Sequence, residues 1–324
     1  MNTFCNRRRF VAGTAALASS VAWAQASYPA KGPIRVIVPL PAGGAADVST
    51  RIVTNALQAQ LGQSVIVDNK PGGSFTIGMN ALAQAPADGY TLFYVNTGMC
   101  TAQAALRKYD MLKALVPISS IGTMPAVLSV PAASPIRSVK ELVAMAKAQP
   151  GTLNYGSVGL GSLEHLWGSR FAREQGVEMV HIPFKGMPDA VLALSAGEIQ
   201  LLPLILSLAL PHVQKGLVRP LAVLDAQRHP LLPDVPTMRE AGFDAMPVAF
   251  WGGLAAPAGT PTAVVDQLHR AIVAALRDSA LQDKLKVMGT LPVVSDSPQA
   301  FRRQIEGELR WMTAAVKDAN LQLN

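Results

Sequence analysis

The chain has 324 residues and a mass of 34.1 kDa, which allows two domains with separate hydrophobic cores. It holds 28 Lys and Arg against 21 Asp and Glu, and three of the 28, Arg7, Arg8 and Arg9, lie in a segment that we expect to be removed. The other 25 form no basic stripe with interleaved aromatic residues, so nucleic-acid binding is excluded as the expected function. Cys5 would leave with the same segment, and Cys100 alone supports neither a disulfide nor a cysteine zinc site.

Residues 1–26 have the pattern of a signal peptide. Arg7–Arg9 are basic, residues 11–21 are small and apolar, and two Ala-x-Ala sites, ending at Ala24 and Ala26, fit signal peptidase. We therefore expect cleavage after Ala24 or Ala26 and export to the periplasm. The Arg-Arg-x-Phe order resembles a twin-arginine signal, although Asn6 stands where Ser or Thr is usual, so a Sec signal remains an alternative.

The first unit of the mature chain reads as a buried strand, a tight loop and an amphipathic helix. Residues 34–38 are β-rich and apolar, residues 39–44 hold two prolines and a Gly-Gly pair, and helical spacing resumes at Val48. The N–H groups at a helix N-terminus lack partners within the helix, so an anion is favoured against Gly43, Gly44 and Ala45. The alternative is that Gly-Gly only makes the turn and Asp47 only caps the helix.

The same alternation of strand, small polar loop and helix continues along the chain. A strand at residues 65–68 leads into a Gly-rich turn that ends at Ser74, a helix follows from about Phe75 to Ala85, and a strand at residues 90–95 ends in Asn96-Thr97-Gly98. This order is typical of a doubly wound parallel sheet, in which ligands bind beyond the carboxyl ends of the strands. We therefore expect these loops to converge on one site.

The second half repeats this design around a Gly- and Ser-rich loop. A strand-like segment runs from Val116 to Val130, and Ser138 with Glu141 forms a capping box. The strand at residues 154–157 is followed by the loop 158–162 and a helix through Gln175, so the hydroxyls of two serines would donate to a bound oxygen. The glycines of this loop fit no dinucleotide-binding spacing, and we expect no cofactor. Further strands are predicted at 179–183, 199–202, 221–223 and 250–254. Helices are predicted at 189–196 and 207–215. Two more helices begin at Pro261, with Thr260 as its cap, and at Ser297.

Catalytic signatures are missing from the sequence. It contains no Gly-x-Ser-x-Gly elbow, no His-Glu-x-x-His and no phosphate-binding loop. Ser157 or Ser162 with His165 would supply a nucleophile and a base, but a lone histidine in a helix usually packs or caps, and Glu164 beside it makes no metal motif. We expect no enzyme and no metal site, with a secreted α/β hydrolase using Ser157 or Ser162 as the alternative.

Eight segments stand in the order and spacing of a known family. They span about 220 residues: Pro41–Asp47, Asn69–Gly72, Asp88–Leu92, Leu153–Ser157, Val180–Gly186, Arg219–Val223, Leu232–Thr237 and Ala255–Pro261. In these segments the chain resembles the Bug receptors, the extracytoplasmic solute receptors of tripartite tricarboxylate transporters.

The resemblance implies a two-lobed α/β fold like that of periplasmic binding proteins, with two doubly wound sheets joined by two crossover strands. It places the crossings near 122–126 and 248–251, which gives lobe 1 as 27–123 with 250–324 and lobe 2 as 124–249. It also implies a small organic carboxylate as ligand: a di- or tricarboxylate, an aromatic acid or an amino acid. The chain would be a monomer that delivers this ligand to a membrane permease, and a sensor that signals to a membrane kinase is an alternative.

Candidate ligand-binding residues follow from the resemblance, position by position. One jaw would hold Ala42, Gly43, Gly44, Ala45, Asp47, Ser74 and Thr97, and the opposing jaw Ser157, Val158, Gly159 and Ser162. Asp47 would cap the helix, orient waters or meet an ammonium group. Two departures from the family pattern bear on the ligand. Phe75 would narrow or cover the site. Leu204 lies in a segment where the family usually has polar residues, so it would favour a ligand with a less polar tail. Replacing Leu204 with Asp is accordingly predicted to improve dicarboxylate binding.

Overall fold

The computed structural model describes residues 28–30, 32–243 and 249–318. The predicted signal peptide with both cleavage sites lies outside these residues, as does Val248 in the second predicted crossing. Within them the strands are β1 (Ile34–Val38), β2 (Val65–Asn69), β3 (Thr91–Asn96), β4 (Leu115–Pro131), β5 (Leu153–Ser157), β6 (Met179–Pro183), β7 (Leu202–Ile205), β8 (Val218–Val223) and β9 (Ala249–Pro257). The helices are α1 (Ala45–Leu61), α2 (Thr76–Ala83), α3 (Thr97–Leu106), α4 (Met111–Ala114), α5 (Val139–Ala148), α6 (Leu163–Gln175), α7 (Met187–Ala196), α8 (Leu206–Gln214), α9 (Thr262–Leu276), α10 (Ser279–Val287) and α11 (Pro298–Asp318).

Two sheets share the long strand β4. In the first the order is β2-β1-β3-β9-β4, with β1 parallel to both neighbours and β9 antiparallel to β3 and β4. In the second, β7 and β8 pair antiparallel with β4, whereas β5 and β6 form a separate parallel two-stranded sheet. A bridge between Tyr155 and Leu201 places β5 beside the entry to β7. The alternating strands and helices confirm the predicted α/β class.

The strand β4 changes partners at a single peptide bond. Its pairing with β9 ends at Pro125, opposite Ala249, and its pairing with β7 begins at Ala126, opposite Ile205. One continuous strand therefore carries the chain from the first sheet to the second. The carboxyl ends of β3, β5 and β7 all lie toward this change of partner, which brings the loops after these strands together.

Local signals explain most element ends. Gly62 ends α1 in a left-handed conformation, with φ of 63°. Ser138 accepts from the Glu141 N–H at 3.2 Å, which confirms the predicted cap, although Glu141 Oε2 accepts from the Arg137 N–H and not from Ser138. Along α11, a buried stripe of Phe301, Ile305 and Met312 confirms the predicted apolar face.

The helix predicted from about Phe75 is present and begins at Thr76, since Phe75 has a left-handed backbone. Three element predictions were wrong. Thr97 opens α3, where the sequence suggested a loop, because Asn96 caps that helix through its side chain. The strand predicted at 199–202 is formed by Leu202–Ile205. Thr260 does not cap α9; its hydroxyl donates to the carbonyl of Pro257 at 2.8 Å.

Candidate functional site

A cavity of about 460 Å³ lies where the loops after β3 and β5 face each other, and we call it the cleft cavity. Its volume is in the range of small-molecule sites. It is lined by Ser74, Phe75, Gly98, Thr101, Ala102, Ala105, Leu106, Val158, Leu160, Gly161, Ser162, Leu163, Glu164 and Phe250. The lining residues 74–75 precede α2, residues 98–106 lie in α3 and Phe250 lies in β9, all on the side of the first sheet, whereas residues 158–164 lead from β5 into α6. The cavity is thus shared between the two halves of the molecule.

Two helices begin at the cavity wall. Asn96 caps α3 by accepting from the Met99 N–H at 3.0 Å, and Gly98 in its first turn lines the cavity. Ser162 caps α6 by accepting from the His165 N–H at 3.4 Å, and it too lines the cavity. Because helix N-termini carry partial positive charge, both favour an anion between them.

The wall opposite α6 is strained. Ser74 and Phe75 are consecutive residues with left-handed backbones, at φ of 51° and 75°. Each such residue other than glycine costs about 1–2 kcal/mol. The Phe75 ring approaches α3 closely, since a Cβ added to Gly98 would lie 3.4 Å from its Cζ. The strained turn therefore places an aromatic ring against the cavity, as the sequence predicted for Phe75.

Asp47 secures the loop before α1. Its carboxylate accepts from the Gly43 N–H at 2.9 Å, from Arg51 Nε at 3.0 Å and from Asn69 Nδ2 at 2.9 Å. Burial alone would raise the pKa of Asp47, but the hydrogen bonds from Arg51, Gly43 and Asn69 outweigh it and lower that pKa. The N-cap position belongs to Gly44. Asp47 is thus an ionised, paired group that ties the Gly-Gly loop to the end of β2.

Two histidines hold the loop after β5. His181 Nε2 lies 2.6 Å from the Ser157 hydroxyl, and His165 Nδ1 accepts from the Gly161 N–H at 3.1 Å. The two rings stack with centroids 4.0 Å apart. Burial, then the neighbouring His181, lowers the pKa of His165 to about 4, and burial lowers the pKa of His181. Both rings are therefore neutral at neutral pH, as the acceptor role of His165 Nδ1 requires.

The serine–histidine pairing differs from the one that the hydrolase alternative assumed. Ser157 contacts His181, a histidine that the sequence did not single out, and His165 contacts the backbone of Gly161. Ser157 is fully buried and does not line the cleft cavity. Its hydroxyl also accepts from the Gly159 N–H at 3.0 Å. This geometry assigns Ser157 to holding the loop.

Glu164 is an acid inside this otherwise uncharged wall. It lines the cavity, is only 3% exposed, and its Oε2 has no hydrogen-bond partner among the described residues. Burial raises the pKa of Glu164, although its own backbone N–H, the Ser162 side chain and the Val158 N–H oppose that shift by hydrogen bonding. The sequence pattern indicated no metal motif at Glu164, and its position in the cavity wall was not predicted. The available signal was an acid directly after a Gly-Ser loop at a helix start.

The predicted site residues fall into three groups. Ser74, Val158 and Ser162 line the cavity. A second group does not line the cavity: the exposed loop 42–45, Asp47, Thr97, Ser157 and Gly159. The Thr97 hydroxyl accepts from the Trp251 N–H at 2.9 Å. Leu204 is a correction: it is fully buried against the apolar cluster around Val127, Leu194 and Leu206, so it cannot touch a ligand in this structure.

The cavity wall sets the chemistry that it accepts. The described residues of its lining include no lysine, arginine or histidine, and eight of these fourteen are Phe, Leu, Val or Ala. Across the described residues, no group of three or more His, Cys, Asp or Glu is arranged to hold a metal ion, and no helix is long and apolar enough to cross a bilayer. The wall suits an anionic group at the helix ends with an apolar body beside it.

Comparisons with known proteins agree with this description. The model of the tripartite tricarboxylate transporter family receptor matches residues 49–321. The UPF0065 protein in the tcbD-tcbE intergenic region of Pseudomonas sp. (strain P51) is 34% identical over 318 residues, which cover 96% of this chain and 94% of that protein. Protein BugT of Bordetella pertussis is 34% identical over 305 residues, with 92% of each chain covered.

Solved structures match over almost their full length. A TctC solute binding protein from Polaromonas, without ligand, has a TM-score of 0.81 at 29% identity and covers 90% of this chain and 99% of its own. Rpa4515 of R. palustris with adipate has a TM-score of 0.73 at 33% identity, with 90% and 98% covered. MatC from Rhodopseudomonas palustris with bound malate has a TM-score of 0.70 at 28% identity, with 88% and 99% covered.

Proposed function

The chain belongs to the tripartite tricarboxylate transporter receptor family, and we propose that it binds a small organic carboxylate in the cleft cavity and delivers it to a membrane permease. The ligand we propose has an apolar body, such as a linear dicarboxylate or an aromatic acid. Two similar proteins were solved with adipate and with malate, so the general ligand class has precedent among relatives.

The observation that carries this proposal is the pairing of two helix N-termini with an apolar wall. Gly98 lies in the first turn of α3 and Ser162 caps α6, so the partial positive charge of two helix N-termini favours a carboxylate here. Phe75, Leu106 and Phe250 supply the surface for a hydrocarbon body. Because backbone groups grip the anion, no basic side chain is needed.

Capture would proceed by closure of two lobes. We propose lobe 1 as residues 27–123 with 250–324 and lobe 2 as 124–249, with β4 as one hinge strand. The change of partner on β4 between Pro125 and Ala126 supports a hinge there. Closure would bring the exposed loop at 42–45 toward the loop at 157–162, so that both jaws surround the ligand.

We further propose a periplasmic monomer that binds without turnover. The family name supports a transporter partner, and the alternative of a sensor for a membrane kinase uses the same cleft. Ser157 is buried, lies outside the cavity lining and is engaged by His181, which speaks against its use as a nucleophile.

The test is a thermal-shift screen of residues 27–324 against mono-, di- and tricarboxylates, aromatic acids and amino acids, after unfolding and refolding to remove carried-over ligand. A ligand at about 100 times its Kd adds about 2.7 kcal/mol, which raises the Tm by several degrees. We expect adipate-like or aromatic acids to give the largest shift. A protein that no acid stabilises would contradict the proposal, and mass spectrometry of recovered ligand would reveal any turnover.

A further inference from the structure

Among the described residues that line the cleft cavity, Glu164 carries the one ionisable side chain. It is more than nine-tenths buried, and one of its carboxyl oxygens has no partner among the described residues. A buried polar atom without a partner is costly, so it marks a contact that something else completes. In a cavity proposed to receive a carboxylate, an additional buried carboxylate would repel the ligand.

The carboxyl of Glu164 also lies among the donors that would hold the ligand. The Ser162 side chain and the backbone N–H groups of Val158 and of Glu164 itself interact with it. These groups belong to the jaw at 157–162 and to the first turn of α6. When two carboxyl groups share one set of donors at low dielectric, they cannot both be ionised, and the pair retains a proton.

We propose that Glu164 is protonated in the complex and donates a hydrogen bond to the ligand's carboxylate, so that binding takes up one proton from solvent. This inference rests on the proposed function. The proton moves from water to the Glu164 carboxyl, and no covalent bond changes. Glu164 thereby selects for an ionised carboxylate while adding no negative charge of its own to the cavity.

Other titratable groups near α6 do not explain such an uptake. The elements packed against α6 are β5, β6, β7 and α11. On β5, the raised pKa of Tyr155 keeps it neutral. On β6, the lowered pKa of His181 keeps it neutral. The strand β7 carries no titratable residue. On α6 itself, the lowered pKa of His165 leaves it neutral, and Arg170 pairs with Glu174. On α11, Glu306 pairs with Arg302, Trp311 stacks with Arg170, and burial raises the pKa of Glu308, so Glu308 needs a control variant of its own.

The experiment is calorimetric titration of the full mature chain with adipate between about pH 6.5 and about pH 8.5, in two buffers of different ionisation enthalpy. We expect uptake of nearly one proton and a Kd that rises about tenfold per pH unit. Glu164→Gln keeps a donor but cannot titrate, so its Kd should be independent of pH and lower than the wild-type Kd at the alkaline end. Glu308→Gln, which removes a partly buried acid outside the cavity, should keep the wild-type slope.

The outcomes separate this inference from the function on which it rests. Binding of adipate, or of another acid from the thermal-shift panel, without proton uptake overturns the role of Glu164 and leaves the receptor function intact. The same holds if Glu308→Gln, and not Glu164→Gln, abolishes the uptake. If no acid binds at all, the function fails and the inference fails with it. Proton uptake by the wild type is measured without any variant, so a poorly folding variant does not decide the result.

Discussion

His165 and His181 stack face to face, with ring centroids 4.0 Å apart, and between them they hold both ends of the loop that closes one side of the cleft cavity. His165 uses an unprotonated Nδ1 to accept from the Gly161 N–H, and His181 Nε2 shares a hydrogen bond with the Ser157 hydroxyl. A proton on His165 Nδ1 would remove the acceptor for Gly161 and place a positive charge against the His181 ring. The shape of this loop therefore depends on His165 staying neutral.

Acid should loosen this loop. The pKa of His165 is lowered to about 4 from an ordinary 6.5, so its contribution to stability is complete above pH 6.5 and is lost as the pH falls toward 4. Across that window we expect the Tm of the wild type to fall by a few degrees more than the Tm of a His165→Asn variant. The amide oxygen of the variant accepts from the Gly161 N–H without titrating. His212→Gln, on α8, is the control and should behave as wild type. Equal pH profiles for wild type and His165→Asn would contradict the assignment.

Asp47→Asn should destabilise the lobe that carries the Gly-Gly loop. The amide oxygen can still accept from the Gly43 N–H, but the ion pair with Arg51 is lost. Because Arg51 is half exposed, we expect the free energy of unfolding to fall by only about 1–2 kcal/mol. Urea unfolding measures it. Asp283→Asn, which removes an exposed pair with Lys286, is the matched control and should cost little. The effect should fade at acid pH, because the lowered pKa of Asp47 means that its stabilisation is lost as the pH falls through that value.

Phe75→Ala should weaken binding and widen the choice of ligand. Removing the ring takes away apolar contact surface from the cavity, and we expect the Kd for adipate to rise about tenfold, which equals about 1.4 kcal/mol. Bulkier aromatic acids should lose less, because the vacated space accommodates them. Ile77→Ala, at an exposed side chain two residues along, serves as the control. An unchanged order of preference across the acids would show that the ring does not touch the ligand.

Leu204→Asp should unfold the second lobe and not improve dicarboxylate binding. Leu204 is fully buried in an apolar cluster, and an unpaired carboxylate there carries a large desolvation cost. We expect a loss of more than about 4 kcal/mol, seen as reduced soluble yield and a lower Tm. Leu204→Met, which nearly conserves volume, should cost less than about 1.5 kcal/mol and retain ligand binding. A well-folded Leu204→Asp protein with tighter dicarboxylate binding would restore the earlier hypothesis.

Local patterns predicted much of the secondary structure. The capping box at Ser138 and the buried stripe along α11 depend on neighbours within one helix, so a sequence window contains the information needed. The helix α3 was missed because its residues are small and mixed, and it is stabilised by packing against α11 about 200 residues later. A pattern that is read within ten residues cannot report such a partner.

The sequence by itself determined the α/β alternation, the family and the placement of small, backbone-exposing loops at helix starts. Only the tertiary structure decided which of those loops share a cavity, that Ser157 pairs with His181 and that Leu204 faces a core. It also brought Glu164 and Phe75, 89 positions apart, to the lining of one cavity. The physical reason is that hydrogen-bonding propensity and periodicity act within one element, whereas the cavity depends on how β4 aligns two sheets. That alignment is set by contacts between residues far apart in the chain.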